Sequence, residues 1–337
     1  MIAIHNSGDF APRWIAYCEA NNISYKLVNC FDNNIVKQLE GCKALMWHHH
    51  HNSYKDVIAA KRILSALQHA GIKVFPDFNT GWHFDDKVAQ KYLLEAIEAP
   101  IVPSYVFYDK NEALEWANTT SYPKVFKLKG GAGSANVRLV KSKSECVRLI
   151  HQAFGKGFSQ FDGKAYFRDM YKRYLAGNKT LTDVIRAFGR VFIPSEYAKR
   201  APREKNYIYL QDFIPNNDHD IRIIVIGNKA FAIKRMVLRN DFRASGSGNI
   251  IYDISQIPLA YIKLAFELNK KIQSQCIAFD FVFDENGNPY VVEISYGFTP
   301  RGYEPCKGYW TDDLQFHPGS FNPYGWMVQN LYDSIIE

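Results

Sequence analysis

Two carboxylates sit where apolar side chains are expected. Asp280 interrupts the apolar run 277–283 and Glu293 the run 290–294, with Asp-Glu-Asn-Gly-Asn-Pro between them. A turn signal between two such runs predicts a β-hairpin. A loop over 285–288 would pair Asp284 with Pro289 and set Asp280 opposite Glu293, their side chains roughly 5 Å apart on one face. Like charges facing each other in an apolar setting cost stability unless a cation lies between them. Oxygen ligands select a hard divalent ion, Mg²⁺ first and Mn²⁺ as its substitute. Ser295 shares the Glu293 face and offers a further oxygen. The alternative is a surface hairpin whose acids face water, which the Phe and Val neighbours oppose.

A second constellation lies in Lys127-Leu-Lys-Gly-Gly-Ala-Gly-Ser134. Gly130, Gly131 and Gly133, followed by Ser134, let a backbone approach a phosphate chain and point N–H groups at it. GxxxxGK is absent, and a strand follows where a dinucleotide fingerprint needs a helix. Lys127, carried by the preceding strand, could pair with phosphates. Lys87 opens a helix, a place where lysine is ordinarily solvated. Gly227-Asn228 reads as a two-residue hairpin turn that sets Asp220 opposite Arg235, with Arg222 on the same face. That arrangement is either a cross-strand salt bridge or a polar face where Asp220 accepts ribose hydroxyls and the arginines meet phosphates. Arg243, in Asp241-Phe-Arg243, adds a further cation.

The elements that must position these residues alternate along the chain. Strands are expected over 2–5, 25–29, 43–48 and 73–76, with helices over 12–21 and 54–70. This is a small α/β unit with a mainly parallel sheet. A helix over 86–99 follows, then strands at 105–108, 124–129 and 137–140 and helices at 111–119 and 144–154. Beyond a basic segment come a strand at 207–213, the hairpin 220–226/230–236, a helix at 258–272 and the acidic hairpin. A tail rich in Gly, Pro and aromatics ends in a helix near 325–335.

Composition narrows the classes. A chain of 337 residues with 47% hydrophobic content fits a globular protein of two or three domains. No run is long enough for a transmembrane helix, and residues 1–5 lack the pattern of a signal peptide. The six cysteines are scattered without a CxxC pair, as expected of reduced thiols in the cytoplasm. Residues 164–205 hold eleven Lys or Arg against four acids, a surplus equal to the whole net charge of +7. This segment is either a solvated helical insertion or a patch for an anionic partner: phosphate, polyanionic glycan or a membrane surface. No nucleic-acid motif is present, so nucleic acid is not expected. The run His48–His51 follows a strand, at the end where α/β sheets place binding sites. Substrate contact through His48 and His50, a structural role and zinc are all open readings of it. Arg301 is a candidate clamp for a substrate carboxylate or phosphate. The aromatic tail 310–326 either packs onto the core or forms a stacking platform for a cyclic substrate.

The ordered set Asp86-Lys87, Pro123-x-Val-x-Lys127 with the loop 130–134, Gln211-Asp-Phe-Ile214, Asp220-Ile-Arg222, Lys234-Arg235, Asp241-Phe-Arg243, Asp280 and Glu293-x-Ser295 resembles the ATP-grasp superfamily. It is most similar to the carboxylate–amine ligases that include glutathione synthetase and the ribosomal-protein glutamate ligase. The resemblance covers roughly 85–300. It implies that Lys87 and Lys127 contact ATP phosphates and that the loop 130–134 closes over them. Gln211, Asp212, Phe213 and Ile214 would form the hinge strand that reads adenine, and Asp220 would hold the ribose. Arg235 and Arg243 would face the γ-phosphate and an acyl phosphate, with Asp280 and Glu293 on Mg²⁺. Ser295 stands where the family usually has Asn.

The expected architecture is therefore α/β and α+β. An N-terminal pre-ATP-grasp parallel domain (1–84) precedes a two-lobed ATP-grasp fold, with a small lobe at 85–210 and a large lobe at 211–337. A basic insertion spans about 156–206. The expected activity is ATP-dependent amide formation between a carboxylate and an amine. A uronic acid or other surface-polysaccharide precursor is the first reading of the carboxylate, and a peptide or amino acid the second. A kinase, and a non-catalytic nucleotide- or glycan-binding module, complete the alternatives. Peripheral membrane contact and a homodimer stay open.

Overall fold

Apolar residues at every second position set the faces of three sheets. The computed structural model describes residues 1–130, 136–175, 177, 179–193, 202–238, 241–244 and 248–336. In the first sheet β1 (Ile2–His5), β2 (Tyr25–Val28), β3 (Ala44–Met46) and β4 (Lys73–Phe75) run parallel in the order β2-β1-β3-β4. Helices Ala11–Ala20 and Tyr54–His69 supply the crossovers. Ser53 caps the latter by accepting from the Asp56 N–H, and Gly71 follows its end at φ +86°. This is the expected parallel α/β unit.

The second sheet is antiparallel. It joins β5 (Ser104–Phe107), β6 (Lys124–Lys127), β7 (Arg138–Val140) and β8 (Ile208–Asp212) in the order β5-β8-β6-β7. Helices Lys110–Thr119 and Lys143–Ala153 cover one face around Phe126, Leu149 and Leu210. The division expected between 210 and 211 falls inside β8, which completes this sheet. Gly131, Gly133 and Ser134 lie outside the described residues, so the closing of their loop does as well.

The third sheet comprises β9 (His219–Ile226), β10 (Lys229–Met236), β11 (Ile250–Ile251), β12 (Cys276–Phe283), β13 (Pro289–Ser295), β14 (Gly308–Thr311) and β15 (Phe316–Pro318). Its spine runs β13-β12-β9-β10-β14-β15, and β11 pairs with β10. Ile221, Ile223, Val225, Ile277, Phe279 and Phe281 point one way, onto helix Leu259–Ile272. Ile224, Ile226, Phe231, Ile233, Cys276 and Ala278 point the other way, into a core shared with Ile2, Ile4 and Met46 of the first sheet. Helix Pro323–Ile336 seals that core with Met327, Val328 and Leu331. Tyr324 and Trp326 pack there too, so the aromatic tail takes the core-packing alternative rather than presenting a platform.

The basic segment holds two packed helices, Gly163–Leu175 and Leu181–Phe192. Thr180 and Asp183 form a capping box at the start of the second. All six cysteines are free and buried. Among the described residues no helix is long and apolar enough to cross a membrane.

Candidate active site

The face of the third sheet that buries Ile224, Ile226, Phe231, Ile233, Cys276 and Ala278 continues into charged residues. Three strand pairings create this change. Arg235 opposes Asp220 across the Gly227-Asn228 turn, and Asp280 opposes both Glu293 and Arg222. Both facing pairs match the hairpin arithmetic. The pairing near the acidic turn does not, because Phe283 rather than Asp284 opposes Pro289. A bulge at Val292 absorbs the difference. It lets Val291 and Ile294 both enter the helix-side core while Glu293 stays on the charged face.

Asp280 is the centre of this face. Its Oδ2 accepts from Arg222 Nη1 at 3.2 Å and lies 3.0 Å from Arg235 Nη2. Its Oδ1 is buried and has no hydrogen-bond partner among the described residues. Burial alone would push this carboxyl up, but Arg222 and Arg235 outweigh it and hold it below the usual range. Asp220, expected at a ribose, instead takes Arg235 in a bidentate pair, with Nε to Oδ1 at 2.7 Å and Nη2 to Oδ2 at 2.5 Å. The salt-bridge alternative thus describes it, with both partners buried and joined by two charge-assisted hydrogen bonds. Burial opposes the charge of Arg235, yet Asp280 and Asp220 raise its pKa well above the ordinary value.

Two lysines enter from the facing lobe. Asp86 caps helix Lys87–Ala96, which places Lys87 at its first turn, and the Lys87 Nζ lies 3.2 Å from Glu293 Oε1. Burial disfavours its charge, but Glu293 and Asp85 raise its pKa nonetheless. Lys127 sits at the end of β6 and donates to Gln211 Oε1 at 2.7 Å. That acceptor is a neutral amide, and burial lowers the Lys127 pKa to about 8. Gln211 is itself fixed by donating to Ser104 Oγ at 3.0 Å. This side-chain role was not expected, because Val125 and Gln211 face each other from different strands and only their pairing aligns Gln211 with Lys127. Asp212 lines the cleft as well, its carboxylate accepting from Lys124 Nζ at 2.5 Å.

Lys87, Lys127, Asp220, Asp280, Glu293 and Arg243 line one cleft between the lobes. Val102, Val125, Val137, Phe213, Ile214, Val237 and Val282 form its apolar walls. Arg243 reaches it while donating to Asp241 (Nε to Oδ1, 2.9 Å) and to Asp169 (Nη2 to Oδ1, 2.7 Å). Asp169 belongs to the inserted helix Gly163–Leu175, a contact that no local pattern signals. Gly130 stands beside Asp85 and Glu204, where a Cβ would lie 3.2 Å from Asp85 Oδ2 and 3.5 Å from Glu204 Oε1.

Other expected residues stand outside this cleft. Ser295 closes a local turn, its Oγ donating to the Gly297 carbonyl at 3.0 Å and accepting from the Gly297 N–H at 3.2 Å. Arg301 is exposed on the turn Pro300–Gly302. His48 is buried and stacked on Phe10 at 3.7 Å. Burial and its histidine neighbours keep its pKa well below 6.5. His50 packs beside it, and its N–H donates to Asp56. The run joins the structural reading, although His48 also lies near Gly297, whose carbonyl accepts from Arg222. Among the described residues no cluster of three His, Cys, Asp or Glu could hold a metal, which leaves zinc at the run without support. Asp280 and Glu293 supply two hard oxygen donors, and the orphaned Asp280 Oδ1 fits a divalent cation.

Comparison with known proteins agrees with this architecture. A RimK-like ATP-grasp domain model matches residues 191–303, and a carbamoyl-phosphate synthase L chain ATP-binding domain model matches 86–184. An ATP-grasp RimK domain protein from Sphaerobacter thermophilus superposes with a TM-score of 0.55 at 13% identity, covering 98% of this chain and 99% of that one. D-alanine–D-alanine ligase from Bacillus anthracis gives 0.52 at 12%, covering 99% and 97%. The biotin carboxylase domain of Hydrogenobacter thermophilus 2-oxoglutarate carboxylase, solved with MgADP, ADP and bicarbonate, gives 0.58 at 16%, covering 98% and 69%. No curated protein matches the chain in sequence.

Proposed function

We propose that this chain, a member of the ATP-grasp superfamily by fold, is an ATP-dependent, ADP-forming ligase that joins a carboxylate to an amine. One observation carries the reading. A buried ammonium facing a neutral amide, Lys127, lines the same cleft as a buried carboxylate oxygen with no partner among the described residues, Asp280 Oδ1. A buried ammonium held only by a neutral amide, and a buried acceptor oxygen left without a donor, are costly unless a ligand completes them. A nucleotide polyphosphate with its divalent cation brings both missing partners.

In this reading adenine lies between the valine walls and meets the backbone of 211–214. Lys127 and Lys87 take phosphate oxygens. Gln211 aims Lys127, and Asp220 aims Arg235. Arg222 and Arg235 keep Asp280 ionised for the cation, which it shares with Glu293. Bound there, Mg²⁺ would neutralise charge on the transferring phosphoryl group. A substrate carboxylate oxygen bonds to the γ-phosphorus as the bond to ADP breaks. The amine then attacks the acyl carbon, phosphate leaves and the amine loses a proton. Arg243 stands at the cleft to meet the growing negative charge. No side-chain nucleophile is required. For the carboxylate we retain a uronic acid as the first class to test and a peptide or amino acid as the second.

The test measures ADP release from Mg·ATP over panels of carboxylates and amines, with product masses. ADP that requires both partners and accompanies an amide mass supports the ligase. ADP with a phosphorylated alcohol replaces it by a kinase. Nucleotide binding without ADP release across the panels favours a non-catalytic module.

A further inference from the structure

We propose that the helical hairpin spanning 163–192 docks the protein on an anionic lipid surface. Its second helix is apolar on two adjacent faces. Val184 and Ala187 are buried beneath it. Leu181, Ile185, Phe188 and Phe192, spaced by four, three and four residues, form a stripe along one side of the helix. They are 58%, 63%, 53% and 70% exposed. Phe188 holds edge-on contact with Phe192 at 5.4 Å and with Phe167 of the first helix at 5.5 Å, so an aromatic cluster joins the stripe to the first helix. Water is a poor solvent for such a ridge, and contiguous exposed apolar surface of this kind marks an interaction site.

Charge selects the occupant. Residues 164–205 carry the surplus of seven positive charges noted above, equal to the net charge of the entire chain. Arg186 and Arg190 lie on the flank of the stripe, and the Arg186 side chain is 78% exposed. An apolar ridge bordered by arginines is the pattern of a helix lying in a headgroup layer, its hydrophobic side chains at the acyl boundary and its cations among anionic headgroups. A polyanionic glycan or nucleic acid would satisfy the arginines but leave Ile185 and Phe192 unburied. The same hairpin carries Asp169, which accepts from Arg243 at the mouth of the cleft. Docking therefore brings that cleft to the lipid surface.

The full chain, without nucleotide, is sedimented with phosphatidylcholine vesicles containing about 30 mol% phosphatidylglycerol and with phosphatidylcholine alone. Binding is expected on the anionic vesicles only, weakening as salt rises from about 0.1 M to about 0.5 M. The double variant Ile185→Ser/Phe192→Ser is expected to lose about a hundredfold in partition, roughly tenfold per side chain. Arg186→Glu/Arg190→Glu is expected to lose most of the salt-sensitive part. Both variants should retain the wild-type Tm, since these side chains face solvent. Equal binding to neutral vesicles, no binding, or a double variant that binds like wild type overturns the proposal. So does a dimer that the Ser variant dissociates in a protein that ignores vesicles, which would make a second copy the occupant.

Discussion

Asp280 faces two guanidiniums through one oxygen and, among the described residues, nothing through the other, which makes its charge testable in two ways. Asn at this position keeps the shape and strands Arg222, whose other acceptor is the neutral Gly297 carbonyl. Asp280→Asn is expected to cost about 3 kcal/mol of stability and to abolish Mg²⁺-dependent turnover by at least about 100-fold. Glu293 is one-third exposed, and its ion-pair partner Lys87 is also supported by Asp85, so Glu293→Gln should match the loss of turnover with a smaller change in Tm than Asp280→Asn. Wild-type turnover in both would remove the metal assignment. Lys127 gives a pH signature of opposite signs. With its folded pKa near 8 against 10.5 for the ordinary side chain, the unfolded chain binds the extra proton between those values. Stability should therefore rise with pH across that window. Nucleotide phosphates need the charged form, so ATP affinity should hold below pH 8 and fall by up to about tenfold per unit above it. Titration calorimetry at several pH values reads the second effect, and Lys127→Arg should flatten it. The facing pair Asp220–Arg235 was legible in the sequence because a two-residue period and a short turn fix it, whereas Asp280 faces Glu293 only because the Val292 bulge offsets a turn one residue longer than expected. Gln211 and Asp169 were not, because their partners lie 84 and 74 residues away and only tertiary packing joins them.

Turns and bulges decide where those side chains point. The hairpin at Gly227-Asn228 was readable since two residues between strands allow one register. The Val292 bulge was hidden because Tyr290, Val291, Val292 and Ile294 are all apolar, and nothing local says which one is unpaired. The histidine run illustrates the same limit. A loop after a strand suggested ligand contact, whereas Phe10 at the start of helix Ala11–Ala20, Phe84 ahead of helix Lys87–Ala96 and Tyr296 after β13 pack around it. Gly8 in the first connecting loop measures how tight that packing is. It holds φ +71°, and a Cβ there would meet His50 Nε2 at 2.6 Å and the His48 carbonyl at 2.9 Å. Gly41 has nearly the same backbone, φ +79°, with nothing within 4 Å. Gly41→Ala should cost about 1 kcal/mol for the backbone alone. Gly8→Ala should cost about 1–3 kcal/mol more, because a backbone carbonyl must also shift. Paired melting curves isolate the difference, and equal Tm losses would show that the histidine loop yields without resistance.

At the scale of the molecule, the parallel sheet and the charged sheet are halves of one core rather than neighbouring units. Ile2, Ile4, Met46 and Phe75 of the first sheet share their apolar cluster with Ile224, Phe231 and Cys276 of the third. The last helix closes both, its Leu331 only 4% exposed. A division by sequence order could not reveal this, since the closing helix comes at the far end of the chain from the sheet it covers. The consequence is cooperative unfolding. Leu331→Ala leaves a cavity in the shared core and should cost about 2–5 kcal/mol. Calorimetry should show the transition that contains the first sheet moving as one with the transition that Mg·ATP stabilises. The ligand meets residues of the third sheet and the small lobe, while Leu331 does not line the cleft and packs in the cluster that joins the first sheet to the third, so a shared transition reports that common core. Two separated transitions, one moved by the substitution and the other by nucleotide, would mean that the N-terminal sheet folds independently.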